Sequence, residues 1–173
     1  MMHLSPKQKR GLFAEQWVYE ELTARGYDVT MPPDFQRECC DLIVNGQTPV
    51  EVKWSAQNSR KRRNKAGDWL TYPKWSWDTG KICQDEGLLI LIAEDNLNIR
   101  YPYIMPMSLM HGRSSFEINS HPTAYRGVIK PFLDNWDVVK LVTGQEYKNP
   151  DQLDLFHLSL TGEITYSEAV SNA

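Results

Sequence analysis

Residues 39–53 read CCDLIVNGQTPVEVK, and this stretch decides the fold. Residues 42–44 are a short β-prone run that ends at the turn pair Asn45-Gly46. In residues 50–53 apolar and charged residues alternate, which is typical of a strand whose two faces differ. The stretch therefore predicts two neighbouring short strands that carry Asp41, Glu51 and Lys53.

The connection at Asn45-Gly46 determines the register of these two strands. A tight two-residue turn would set Asp41 opposite Val50, on the other face from Glu51, because directly paired residues share a face. One extra loop residue or a bulge would set Asp41 opposite Glu51. Pro49 has no N–H to donate and argues against an ideal ladder. A shared site therefore requires a connection that is bulged or longer than two residues.

Asp41, Glu51 and Lys53 suit chemistry at a phosphodiester. Mg²⁺ prefers oxygen ligands, takes one or two carboxylates and keeps several waters. The metal acidifies a bound water, and a nearby ammonium steadies the nucleophile or the phosphate charge. Charged residues on a solvated strand face are the ordinary alternative, but the alternation in residues 50–53 favours a common site.

The first helix supplies a third carboxylate. Ser5-Pro6 predicts the start of this helix and Gly26 its end. On a helical wheel Glu15 falls on the apolar side of this helix. A carboxylate directed at the core is costly unless it is paired or binds a metal. A side chain that reaches back to the surface, or that pairs with an internal Arg or Lys, is the ordinary explanation, and the functional one is favoured. Glu15 lies in the middle of the apolar stripe formed by Leu12, Val18, Tyr19 and Leu22.

Four segments together resemble the PD-(D/E)XK nuclease superfamily, especially its Holliday-junction-resolvase-like and restriction-endonuclease-like branches. They read GLFAE, GYDV, CDLIV and PVEVK and lie within residues 10–54. Cys40 stands where the superfamily often has a proline. The resemblance implies a restriction-endonuclease-like α/β fold, with a central mixed sheet of four to five strands flanked by helices. It also implies four catalytic residues, of which the three carboxylates would hold Mg²⁺ (or Mn²⁺) and the lysine would serve the nucleophile or phosphate: Glu15, Asp41, Glu51 and Lys53.

A basic segment follows Lys53. Residues 53–81 contain eight Lys or Arg but only two Asp, in a chain whose net charge is −3. The densest part predicts contacts with nucleic-acid phosphates and comprises Arg60, Lys61, Arg62, Arg63 and Lys65. Aromatic residues are interleaved with this charge and could stack on unpaired bases, although packing is the favoured interpretation for the tryptophans: Trp54, Trp69, Tyr72, Trp75 and Trp77.

Two further runs complete the predicted sheet. Residues 88–93 are continuously apolar, as expected for a central strand covered on both faces. Residues 100–104 follow a turn and predict a partner strand near the edge, because Pro102 cannot donate to a ladder. The sequence thus predicts one α/β nuclease-like domain over residues 1–148.

Residues 149–173 are predicted to form a C-terminal tail. The segment QLDLF within it resembles the peptide with which bacterial polymerases and repair proteins bind the β sliding clamp. The alternative is a final strand whose leucines pack in the domain. In the clamp interpretation the glutamine fixes orientation and the last two residues are buried anchors. The five positions are Gln152, Leu153, Asp154, Leu155 and Phe156.

Composition limits the remaining classes. Three cysteines and four scattered histidines form neither a disulfide framework nor a zinc motif, and reduced thiols predict a cytoplasmic protein. No apolar run is long enough to span a membrane. The resemblance implies a Mg²⁺-dependent endodeoxyribonuclease acting on DNA in repair, recombination or restriction. The alternative is a non-cleaving nucleic-acid-binding or clamp-binding adaptor. Because cutting two strands often needs two active sites, a homodimer is also compatible with the sequence.

Overall fold

The structure is a computed structural model, and it describes residues 5–33, 40–80, 86–110 and 112–144. The helices are α1 (Pro6–Ala24) and α2 (Asp137–Val142), and short 3-10 turns lie at Met107–Met110, Pro122–Ala124 and Lys130–Phe132. The strands are β1 (Val29–Thr30), β2 (Leu42–Val44), β3 (Thr48–Ala56), β4 (Asn58–Arg63), β5 (Trp69–Asp78), β6 (Leu88–Glu94), β7 (Arg100–Pro106) and β8 (Ser115–Ile118).

Helix α1 begins at a capping box, in which the Ser5 hydroxyl accepts the Gln8 N–H at 3.3 Å and the Gln8 side chain accepts the Ser5 N–H at 2.9 Å. Gly26 follows its end with φ of +88°. Both predicted ends are confirmed. The predicted stripe is wrong for Leu12, which is 50 % exposed, because the buried face is centred elsewhere. That face consists of Ala14, Val18 and Leu22, with Tyr19 partly buried beside it.

The central sheet has five strands in the order β1-β2-β3-β6-β7. Strands β3 and β6 are parallel, and the other neighbours are antiparallel. Leu88 to Ala93 are fully buried in β6, and β7 forms an edge, as the sequence predicts. Gly87 precedes β6 with φ of +116°, and a Cβ there would collide with the Pro49 carbonyl. The mixed five-stranded sheet with flanking helices confirms the predicted α/β fold class.

The turn between β2 and β3 contains one residue more than a tight hairpin. Asn45 and Gly46 take φ of 52° and 70°, and the Gln47 N–H donates to the Val44 carbonyl at 3.2 Å. Val44 nevertheless pairs with Thr48, so that Gln47 is the extra residue. The predicted non-ideal connection is confirmed, and the register sets the position of Asp41 across from Glu51.

A second sheet has the order β4-β5-β8. Trp75 and Trp77 of β5 are buried, and their indole N–H groups donate to the carbonyls of Glu94 at 2.9 Å and Ile92 at 3.1 Å. Packing is therefore the correct interpretation of these two tryptophans. Trp69, at the other end of β5, is 67 % exposed.

The predicted tail, residues 149–173, and the clamp-like segment Gln152–Phe156 lie outside the described residues. Within the part of the chain that is described, neither helix has the length and apolar character needed to cross a membrane.

Candidate active site

Asp41 lies directly before β2, and two hydrogen bonds hold it against β3. Its N–H donates to the Val50 carbonyl at 2.9 Å, and its Oδ2 accepts the Val52 N–H at 2.7 Å. The carboxylate thus takes the place of a backbone acceptor where the β2–β3 ladder ends at Leu42. The side chain is fixed beside the face of β3 that carries Glu51.

Glu51 and Lys53 are two residues apart in β3 and therefore share a face. Glu51 is 8 % exposed, and its Oε1 forms an ion pair with the Lys53 ammonium. Lys53 is half-buried. A carboxylate that is buried to this extent is seldom left without a charged partner. The structure therefore brings three of the four predicted catalytic side chains to one place.

The two carboxylates of this cluster carry an electrostatic cost. Burial raises the pKa of Asp41, and the Val52 N–H and the Lys53 charge only partly oppose that rise. Burial also raises the pKa of Glu51, and the Asp41 charge raises it further, while Lys53 acts in the opposite direction. Two negative groups thus face one ammonium, and a bound cation would relieve their repulsion.

Glu15 lies on α1, which packs against β3. Its side chain is half-buried and lies at the flank of the buried helical face, not at its centre. In the described ranges, no three Asp, Glu, His or Cys side chains are grouped so as to hold a metal ion. The expected convergence of Glu15 with Asp41 and Glu51 is therefore not present, and the role of Glu15 as a ligand stays a prediction.

The predicted phosphate-binding residues form an exposed surface. Arg60, Lys61, Arg62 and Arg63 are consecutive in β4, every residue of which is exposed, and Lys65 lies in the turn that follows. Only Gln57 separates β3 from β4, and the first of these basic residues, Arg60, lies seven positions after Lys53. This surface is continuous in sequence with the strand that carries the charged cluster.

A second basic surface was not predicted. Lys9, Arg10 and Arg100 line a cavity of about 380 Å³ together with Phe13 and Trp54, as well as Glu94 and Asn98. The Arg10 guanidinium lies 5.2 Å from the Trp54 ring centre, and Arg100 pairs with Glu94 at 3.1 Å. These residues come from separate parts of the chain, so that only their packing, and no sequence pattern, brings them together.

Comparison with known proteins supports the fold. No protein-family model and no curated protein sequence matches the chain. Among solved structures, the bacterial homing endonuclease I-Ssp6803I superimposes with a TM-score of 0.54 at 19 % identity. The match covers 83 % of this chain and 97 % of that one. The chain therefore has a nuclease-like fold.

Proposed function

We propose that this protein is a metal-dependent endonuclease that hydrolyses phosphodiester bonds in DNA. The observation that carries the proposal is the cluster formed by Asp41, directly before β2, with Glu51 and Lys53 of β3. Glu51 is buried, Asp41 is fixed by two backbone hydrogen bonds, and Lys53 is paired with Glu51. A pair of carboxylates with raised pKa values, of which Glu51 is buried and Asp41 half-buried, costs stability and is a common mark of a functional site.

The residues present fit a divalent cation. Mg²⁺ takes one or two protein carboxylates, and Asp41 with Glu51 supplies such a pair. Bound there, Mg²⁺ or Mn²⁺ would acidify a water molecule and neutralise charge on the phosphate. Glu15, on the helix that packs against β3, is proposed as an additional carboxylate for this site.

Lys53 has a separate role. In the structure its ammonium neutralises Glu51. With a cation held at Glu51, the ammonium would be free to donate hydrogen bonds to a non-bridging phosphate oxygen or to the attacking water. Charge of this kind, aimed at the position where negative charge develops, lowers the barrier of phosphoryl transfer. The hydrogen bond from the Val52 N–H to Asp41 involves neither Glu51 nor Lys53 and would hold the Asp41 carboxylate in place when the cation binds.

The exposed basic residues of β4 are proposed to contact the DNA beside this site. The setting that we propose is repair, recombination or restriction. The segment Gln152–Phe156 is proposed to recruit the protein to the bacterial β sliding clamp. The competing function is that of an adaptor, which binds DNA or the clamp without cutting. The same fold is compatible with that function.

A cleavage panel separates the two functions. Duplex, nicked, branched and single-stranded DNA are incubated with the full chain in Mg²⁺, in Mn²⁺ and in EDTA. We expect metal-dependent cleavage of at least one substrate, reduced by a factor of at least about 100 in Glu51→Gln and Lys53→Ala. If the protein binds DNA but cleaves none of these substrates, the nuclease function is excluded and the adaptor function remains.

Two matched controls guard against general damage. Glu21→Gln and Lys140→Ala remove charges of the same kind from exposed ion pairs, Glu21–Arg25 and Lys140–Asp137. Both should retain cleavage, because such surface pairs contribute at most about 1 kcal/mol to stability. Glu15→Gln tests the additional carboxylate. We expect this variant to bind the metal more weakly and so to need a higher Mg²⁺ concentration for cleavage. Clamp recruitment is tested separately, by binding of the purified clamp to the full chain and to a Phe156→Ala variant.

A further inference from the structure

Strands β4 and β5 extend beyond the domain as a two-stranded ribbon. The outer part of β5, from Trp69 to Tyr72, is exposed, and so is all of β4. Asn64 and Asp68 close the tip: the Asn64 N–H donates to the Asp68 carbonyl at 2.8 Å, and the Asp68 N–H donates to the Asn64 side chain at 2.8 Å. We call residues 58–72 the basic ribbon. The ribbon is a regular antiparallel pair with a closed tip.

The inner half of the same strand is fixed in the core. Trp75 and Trp77 are buried, and both indoles donate to carbonyls near the end of β6. The Ser76 N–H donates to the Ser55 hydroxyl of β3 at 3.0 Å. Because β5 is one uninterrupted strand, the basic ribbon is joined stiffly to the sheet that carries Glu51. An exposed element held in this way is suited to contact a rigid partner of defined shape.

The two faces of the basic ribbon differ. Arg60 pairs with Tyr72 and Arg62 with Leu70, so these four side chains share one face, which we call the reading face. Arg60 also donates to Asn119 of the loop after β8, although the contact is long at 3.4 Å. On the opposite face the Arg63 guanidinium donates to the Gly67 carbonyl at 2.7 Å and so supports the tip.

Free cations remain on both faces. In the described part of the chain, neither Lys61 nor Arg62 has a hydrogen-bonding or ion-pair partner. Asp68 is the one acidic residue of the basic ribbon, and its side chain is engaged by Asn64 at 3.2 Å. An exposed, basic, two-stranded element with uncompensated guanidinium groups matches an anionic groove about 12 Å wide, the width of the major groove of B-DNA, which admits a two-stranded β-ribbon.

We propose that the basic ribbon enters the major groove of duplex DNA, where Arg60 and Arg62 bind base edges while Lys61 and Lys65 contact phosphates. This inference rests on the proposed nuclease function and specifies its substrate as duplex DNA with a sequence preference. Arginine binds the O6 and N7 acceptors of guanine in a bidentate manner, which is the commonest specific contact in the major groove. The preference should therefore be for guanine.

The strand geometry also gives the spacing. Residues two apart in a strand are about 7 Å apart, and base pairs rise by about 3.4 Å. Arg60 and Arg62 thus match guanines two base-pair steps apart. Tyr72, paired with Arg60 on the reading face, is placed to contact a neighbouring base or sugar.

A selection experiment tests this inference without relying on cleavage. The full-length Glu51→Gln protein, in Ca²⁺, is used to select from a pool of duplexes with a randomised segment, and the bound DNA is sequenced. We expect a motif with guanines two positions apart. Arg62→Ala should lose discrimination at one of these positions by about 5- to 150-fold. Lys61→Ala should instead weaken binding to all duplexes about equally and reduce the salt slope by about one.

Each outcome bears on one of the two proposals. If no motif is enriched, or if Arg60→Ala and Arg62→Ala weaken all duplexes equally, groove reading is wrong. Preferential binding of single strands, lost in Trp69→Ala, would also overturn it in favour of base stacking on the exposed ring. A motif bound without any Mg²⁺-dependent cleavage by the unmodified protein would retain groove reading and exclude the nuclease. Cleavage without sequence preference would support the nuclease function and exclude groove reading.

Discussion

Replacement of Glu51 by Gln should make the metal-free protein more stable while it removes most of the proposed cleavage activity. The change keeps the shape of the side chain but removes one charge of the carboxylate pair. Positions directly opposite in antiparallel strands have Cβ atoms about 5 Å apart. Two unit charges at that distance repel by about 3 kcal/mol at an effective dielectric constant near 20. Lys53 offsets much of this cost, and after Glu51 is neutralised it still attracts Asp41.

We therefore expect a net gain of about 1 kcal/mol in the free energy of unfolding at pH 7, which raises the melting temperature by about 2–4 °C for a chain of this size. The gain depends on pH. The pKa values of Asp41 and Glu51 are raised above their ordinary values of 3.8 and 4.5, so the folded state binds protons more tightly than the unfolded one. Stability therefore falls as the pH rises from these ordinary values through the raised ones.

The assay is thermal unfolding of both proteins between pH 4 and pH 8, with and without Mg²⁺. The advantage of Glu51→Gln should shrink toward the acid end, because the raised pKa values let the carboxylates of the folded protein take up protons there and so lose their repulsion. With Mg²⁺ at about 100 times its Kd, the unmodified protein should gain about 3 kcal/mol, and the variant should gain much less. The carboxylate repulsion would be refuted if the variant were less stable than the parent at neutral pH. It would also be refuted if the variant's gain in melting temperature were the same at every pH.

Further changes test the fold that supports the site. Deletion of Gln47 should convert the β2–β3 connection into a tight hairpin that keeps Val44 opposite Thr48 and Asp41 opposite Glu51, so that Mg²⁺ should still raise the melting temperature of a protein that circular dichroism shows to be folded. Trp77→Phe leaves the Ile92 carbonyl without its indole donor and should cost about 1–3 kcal/mol in chemical denaturation. Gly87→Ala should cost at least about 1–3 kcal/mol, measured in the same way, because of its positive φ and its contact with Pro49. In contrast, Leu12→Ala should change stability by less than about 0.5 kcal/mol, since this side chain is half exposed.

The parts of the fold that sequence predicts well are those determined locally. Ser5, Pro6 and Gly26 define α1 through capping and backbone conformation, and the continuous apolar run of β6 defines the sheet centre. The shared face of Glu51 and Lys53 follows from the two-residue period of a strand. These features depend on a few consecutive residues, so tertiary packing does not alter them.

Other features depend on contacts between distant segments. Leu12 fits the helical pattern but is exposed, because the sheet covers the Ala14, Val18 and Leu22 side of α1 instead. Strand β4 has no apolar alternation, and it is a strand because β5 pairs with it along its length. From the sequence it follows only that Asp41 lies opposite Glu51 if the connection has more than two residues or a bulge. The pairing of the two strands in the structure decides the register. The same holds for Glu15, whose distance from Asp41 depends on how α1 packs.

The hydrogen bond from Ser76 to the Ser55 hydroxyl has a consequence for where DNA would be cut. Ser55 lies on β3 four residues beyond Glu51, and Ser76 lies on the strand that continues into the basic ribbon. In the proposed nuclease this contact would help to fix the distance between the bases that the basic ribbon reads and the bond that is hydrolysed. If both proposals are right, a recognised sequence and its cleavage point should keep a constant offset in base pairs.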